Sequence, residues 1–406
     1  MFTFTFFRLF NAASVLAATS LCALFVGASD WAPVALMHTT FSYLILCNFG
    51  VNEGLGQKVV RFNARYFDVY QVLQNTFIVI CIVSLLFSEA SSTPIRDISF
   101  YIGGTSALLL FSLNRVFFRG VGSFKSLGNL YVVNGLILAF SPVLVMHSKD
   151  PFDFLRLLIF SSICGALINI SYKKDAKFLL KKTNHLKVKR YCLVFINKTK
   201  KLAIAGFPLM LAGVTFEVII TIDRFYINSF YGEILAGNVA FSLMLVKGVI
   251  MLLSILNTIG FRALSVNTSM KNWNANILVI RKQVIIGISG CFVLVFLFFS
   301  VLSSNWFINS FPSYANTSGI FLAQSLLLIP LSFMFPLSVV SNFMFGGRVY
   351  LLMLMSIMLL YFSIVFIVHN LTDTLTIYEL SFVVVSCFSC GVYLFSKYIF
   401  KQFEAH

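Results

Sequence analysis

Charge is what this chain of 406 residues has least of. Charged residues make up 11% of it, against about 25% in soluble domains, and this deficit excludes a water-facing surface over most of the chain. Acidic charge is scarcer still, with 14 Asp and Glu against 30 Lys and Arg. Histidine falls to 5, and His38 and His369 stand alone in apolar runs, which leaves little for general acid–base chemistry. Short alternating segments are missing, so an outer-membrane barrel is excluded. The Walker spacing G-x-x-x-x-G-K-[ST] is missing too; the glycines of "NFGVNEGLGQK" (48–58) fit a turn after a span better than a phosphate loop. The 8 cysteines form no disulfide framework: seven lie inside apolar runs, and "CFSC" (387–390) has no histidine or second pair to complete a metal site.

What is present is apolar length. Hydrophobic residues reach 59%, spread over the whole chain. At about 20 residues per bilayer crossing, the runs give twelve candidate spans: 9–28, 33–51, 69–88, 98–118, 128–146, 154–171, 202–224, 234–258, 283–303, 317–345, 349–369 and 377–397. The N-terminal run has the small residues of a signal peptide, but comparable spans follow it closely, so it reads as a retained first span. An even count puts both termini on one side. With the termini inside, 25 of the 30 Lys and Arg fall on inner segments, which predicts cytoplasmic termini. The net charge of +16 is then mostly a positive inner face that anionic membrane lipids attract, and nucleic acid is not an expected partner.

The predicted fold class is an all-α polytopic membrane protein of about twelve transmembrane helices in two six-helix lobes. The first lobe is 1–171, a basic cytoplasmic linker "YKKDAKFLLKKTNHLKVKRYCLVFINKTKK" occupies 172–201, and the second lobe is 202–406. Two such halves point to a transporter with its site near the midplane. Pro330 and Pro336 should bend the tenth span, and bent spans are where transporters place hinges.

The charges inside spans are the candidate site. An ionisable side chain at bilayer depth costs about 3 kcal/mol, so it faces a bundle interior or a watery cavity. On a helix, Thr221, Arg224 and Asn228 fall within roughly 40° of Glu217. Asp223 points away from Arg224, so these neighbours do not pair with each other. On the next span, Lys247 aligns with Ser254 and Thr258, central and too deep for easy snorkelling. Two readings of Glu217 and Lys247 stand: a structural ion pair, or a polar cavity in which Lys247 attracts an anionic group while Glu217 balances it or binds a cation. Asp223 and Arg224 are open between interfacial solvation and function, and Arg8 between guarding the cytoplasmic mouth and setting topology. Metal ligands and resident cofactors are not expected, while coupling to H⁺ or Na⁺ stays open. His38, Asn48, Asn114, Asn134 and Gln324 can be satisfied by neighbouring helices.

"AGFPLMLAGVTFEVIITIDRFYINSFYGEILAGNVAFSLML" (205–245) resembles the seventh and eighth spans of polysaccharide-unit flippases, in the multidrug/oligosaccharidyl-lipid/polysaccharide exporter superfamily. The matching features are Gly206-Phe207-Pro208 at the start of the seventh span and Asp223-Arg224 at its end. "LCNFGVNEGLGQKVVRF" (46–62) resembles the end of their second span. The resemblance implies transfer of polyprenyl-diphosphate-linked oligosaccharide across the bacterial inner membrane for O-antigen, capsule or related polysaccharide synthesis. Two lobes would alternate access to a cationic cavity, with Lys247 and Arg8 facing the diphosphate. Glycosyltransferases inside and a polysaccharide polymerase outside are the implied partners. The rival within the superfamily is a cation-coupled multidrug or small-molecule exporter, whose cavity should be acidic. A membrane-embedded glycan polymerase or acyltransferase would need a longer catalytic loop than this chain offers.

Overall fold

The computed structural model describes residues 2–55, 66–90, 93–121, 123–171, 188–266, 273–345, 348–372 and 374–404, and these contain no strand. The helices are α1 (Phe2–Val26), α2 (Ala28–Leu44), α3 (Phe67–Ala90), α4 (Thr93–Val121), α5 (Phe124–Ala139), α6 (Ser141–Ser148), α7 (Asp153–Ser171) and α8 (Val188–Thr221). They continue as α9 (Asp223–Tyr231), α10 (Glu233–Val266), α11 (Trp273–Leu302), α12 (Asn305–Ser310), α13 (Thr317–Ser325), α14 (Leu328–Phe345), α15 (Arg348–Thr372) and α16 (Ile377–Glu404).

Each of the twelve predicted spans coincides with a helix or a helix pair. Among the described residues nine helical stretches are long and apolar enough to cross a membrane, and a bent pair, 312–325 with 328–338, makes a tenth. α2, at 17 residues, and α7 fall outside that set. The outward faces are greasy: Phe292 of α11 is 74% exposed and Phe366 of α15 70%, an arrangement that only lipid tails make favourable. This is a multi-pass membrane protein.

The chain forms two compact units, one of Met1–Cys22 with Met37–Val214 and the other of Ala23–Leu36 with Thr215–His406. The first 16 residues of the predicted linker, 172–187, lie outside the described residues, and from Val188 onward the segment is already helix. α8 starts before the apolar run because its first turns are amphipathic. Phe195 packs against the core of the first unit, while Lys198 Nζ reaches Asp68 of α3 at 2.7 Å.

The first unit hydrogen-bonds several of its buried polar side chains to one another. Tyr70 donates to Asn114 Oδ1 at 2.7 Å, and Gln74 Nε2 donates to the same oxygen at 3.2 Å. Asn134 binds Asn11 at 2.9 Å and accepts from Ser161 at 2.8 Å. Asn114 and Asn134 are two of the residues that the sequence left to be satisfied by neighbouring helices. Replacing Asn114 with Leu should strand both the tyrosine hydroxyl and the glutamine amide. The expected cost is about 2 kcal/mol, read as an earlier thermal unfolding transition of the purified protein.

The same unit contains a very close helix crossing. After α2 the chain tightens into a 3-10 turn, Ile45–Asn48, and reverses through Phe49 and Gly50, both left-handed at φ 48 and 78. Gly50 and Gly54 then lie directly against Leu202, Gly206 and Phe207 of α8. "NFGVNEG" is therefore a turn, as its spacing predicted, followed by a docking surface.

In the second unit, α2 and α9 pack Ala32 and Ile227 against Ile320, Leu375 and Leu380. The predicted bend in the tenth span is real: α13 and α14 meet at 42°. It falls at Leu326–Leu327 because Pro330 has no N–H for the Leu326 carbonyl and its ring crowds that carbonyl. That carbonyl instead accepts the N–H of Ile329, at 3.2 Å.

Candidate functional site

α8 carries Glu217 near its end and α10 carries Lys247, 14 residues after Glu233. Both positions lie well inside their helices, Lys247 about 21 Å from the start of α10 at 1.5 Å per residue. The side chains meet: Lys247 Nζ lies 2.6 Å from Glu217 Oε2. At that depth the ammonium cannot reach headgroup water, and a carboxylate is its available counter-charge. The pair is not sealed in, since the two side chains keep 30% and 33% of their surface exposed. One turn before Glu217, Gly213 is exposed, and a Cβ built there meets nothing within 4 Å.

Thr221 is fully buried and its hydroxyl donates to the Glu217 carbonyl, back along the helix. α8 then breaks at Ile222 and α9 begins with Asp223 and Arg224, each 5% exposed. Both side chains turn inward against other helices of the second unit. Arg224 Nη2 turns to the Ala240 carbonyl of α10 at 3.4 Å, and its charge acts on Lys247. Asp223 turns the other way and accepts a hydrogen bond from the Tyr361 hydroxyl of α15. The helical-wheel prediction that these neighbours do not pair describes this arrangement. Ser254 lies on α10 as expected, but its side chain is outside the described residues.

Arg8 belongs to the first unit. Its neighbour Phe7 packs on Gly128 of α5, and Arg8 itself is close enough to Arg115 and Arg119 of α4 for their charges to act on one another, with Tyr131 of α5 beside them. The arginines of α4 were assigned only to topology from the sequence. Their spacing of four residues, which sets them on one helix face, was the signal available. Glu53 also acts on Arg115 and partly balances the cluster. Further buried polar contacts join α10 to α13 and the turn before it. Ser242 donates to Gln324 at 2.6 Å, and Asn238 accepts from Thr317 at 2.7 Å while donating to the Ser313 carbonyl.

The chain matches no protein-family profile and no curated protein sequence. Its fold is shared by solved transporters at low identity. A MOP superfamily transporter from Pyrococcus furiosus superposes with a TM-score of 0.65 and 12% identity over 99% of this chain and 95% of that one. An outward-facing multidrug resistance MATE family transporter gives 0.65 and 11% over 99% and 95%. The lipid II flippase MurJ, in an inward closed conformation, gives 0.62 and 12% over 99% and 89%. This chain shares the fold of these solved membrane transporters.

Proposed function

We propose that this protein is a flippase that carries a polyprenyl-diphosphate-linked oligosaccharide from the inner to the outer leaflet of a bacterial inner membrane, for surface polysaccharide synthesis. The observation that carries this reading is the Lys247–Glu217 pair, held deep in the span region yet one-third exposed beside Gly213. A charge kept at that depth is expensive unless it serves a ligand or a partner. A lysine that can exchange its carboxylate for a diphosphate is a suitable receiver for a headgroup that must leave water. The arginines at 8, 115 and 119 supply a second cationic cluster of the kind such a headgroup needs. A solved relative in fold is named as a lipid II flippase, which supports a lipid-linked substrate. Both termini are cytoplasmic in this reading, by the distribution of Lys and Arg.

A second reading has its own observation. Because Glu217 neutralises Lys247, the pair can also release its carboxylate to a cationic amphiphile, as a multidrug exporter would require. Sign of charge is a variable on this fold, since the Pyrococcus furiosus transporter is described as having a binding pocket of reverse polarity.

Deleting the gene in its host and extracting lipid-linked glycans tests the proposal. Complete repeat units should accumulate on the cytoplasmic leaflet, and the intact gene should return them to the outer one. A normal leaflet distribution, with altered tolerance to toxic cations, would assign the protein to the exporters instead.

A further inference from the structure

α15 and α16 pack as an antiparallel pair in the second unit. Ile357 fills the space beside Gly391, and the rings of Tyr350 and Phe395 lie 6.4 Å apart, so earlier residues of α15 stand beside later residues of α16. Between the two helices runs a groove of about 380 Å³. Ile357, Cys387 and Phe395 give it a buried apolar floor, and its rims, with Leu352, Leu394 and Tyr398, are exposed. The hollow follows from side-chain size, because Ser356, Cys390 and Gly391 at its middle are small.

The groove is as long as one leaflet is deep. Its lining runs from Leu360 to Val349 on α15 and from Cys387 to Tyr398 on α16, which is about 17 Å on each at 1.5 Å per residue. Half of a bilayer's hydrocarbon core is about 15 Å. Leu360 is the midpoint of α15, so the groove extends from the middle of the span to its end. At that end both stripes continue in cations. Arg348 precedes Leu352 by four residues, while Lys397 and Lys401 follow Cys390 and Leu394 by seven, spacings that keep one helix face. The Tyr350–Phe395 contact sets Arg348 and Lys397 at one level. All three cations are exposed, and Glu404 is the one acid of 348–360 and 387–406.

We infer that this groove holds an anionic diacyl phospholipid, with an acyl chain between α15 and α16 and the phosphate against Arg348, Lys397 and Lys401. The chain gains dispersion contacts along a floor that a flat helix face does not offer. Lys and Arg at headgroup level attract an anionic lipid, and their apolar stems let the charged ends reach it. A partner helix would cover the full span, whereas this hollow stops at its middle. The site does not depend on which substrate the protein carries.

The test is native mass spectrometry of the full-length protein, stripped of lipid in detergent and titrated with dioleoyl phosphatidylglycerol or dioleoyl phosphatidylcholine. One phosphatidylglycerol should bind about tenfold more tightly than phosphatidylcholine. Arg348→Gln/Lys397→Gln/Lys401→Gln should bring the two lipids to within about twofold of each other. Arg281→Gln/Lys282→Gln, which removes two exposed cations of α11, should leave the preference intact. Ser356→Trp keeps the three cations but fills the groove from its open side, so it should abolish tight binding. Every substituted residue is exposed, so the fold should survive. Equal affinity for the two lipids, or a preference that the triple variant retains, overturns the proposal. An equal loss in the α11 variant overturns it in favour of bulk charge. Binding that survives Ser356→Trp, or that free glycerol phosphate competes away, overturns it in favour of a charged patch without a groove. No substrate enters the assay, so a failed flipping experiment leaves the site standing.

Discussion

Gly206→Val is expected to leave no folded protein in the membrane. A side chain at Gly206 overlaps the Gly50 carbonyl and the Gly54 amide nitrogen, and stands 2.9 Å from the Gly54 Cα. Each of these is backbone, so no rotamer change relieves the overlap. A side chain on Gly54 lands in turn on the Leu202 carbonyl. Gly50 is also left-handed, so the approaching turn has no alternative path. Overpacking a tight core costs about 1–3 kcal/mol when side chains can move; a backbone collision should exceed the upper figure, a large part of a typical domain's stability. Size-exclusion profiles of detergent extracts should lose the monodisperse peak. Gly213→Ala, about two turns further along α8 and open on its free side, should keep it. An intact Gly206→Val protein would mean that the two backbones at this crossing can move apart.

The second large effect concerns Lys247 and Glu217, and a double-substitution cycle separates structure from transport. Glu217→Gln leaves the lysine unpaired in the bilayer at a cost of about 3 kcal/mol, and Lys247→Met does the same to the glutamate. Each single variant should therefore unfold more easily and transport poorly. The double variant Glu217→Gln/Lys247→Met removes both charges and should regain most of the lost stability. If the pair is only a strut, transport returns with stability. If the pair meets the substrate, the double variant is stable and idle, with leaflet transfer at least tenfold below the parent. Thermal unfolding and leaflet assays on the same four proteins decide between these outcomes.

The helices were legible because their cause is local: about 20 apolar residues must satisfy their own backbone in lipid. The break at Leu326–Leu327 was legible for the same reason, since Pro330 acts on its own helix. Glu217 and Lys247 were legible because polarity is costly inside a span, and their depths along neighbouring helices allowed the encounter now seen at 2.6 Å. Partners separated by long stretches of chain were not legible. Nothing local says that Tyr361 will meet Asp223 138 residues earlier, or that Tyr226 will meet His369. α8 begins 14 residues before the predicted span at 202, in turns held by Phe195 and by Lys198 on Asp68, which no apolar window registers. The arginines at 115 and 119 were read by counting sides, and only folding places Arg8 beside them.

The closeness of Lys247 to Glu217 has an electrical consequence. One elementary charge crossing the membrane field gains or loses about 2.3 kcal/mol per 100 mV. Two opposite charges 2.6 Å apart behave as a small dipole, so a rearrangement that carries them together displaces almost no net charge. Such a step is electrically silent, and its rate should be indifferent to voltage. A step that draws the ammonium away from the carboxylate, or swaps the carboxylate for an incoming anion, is electrogenic. Transient current across a planar bilayer would therefore mark the moment at which the pair opens.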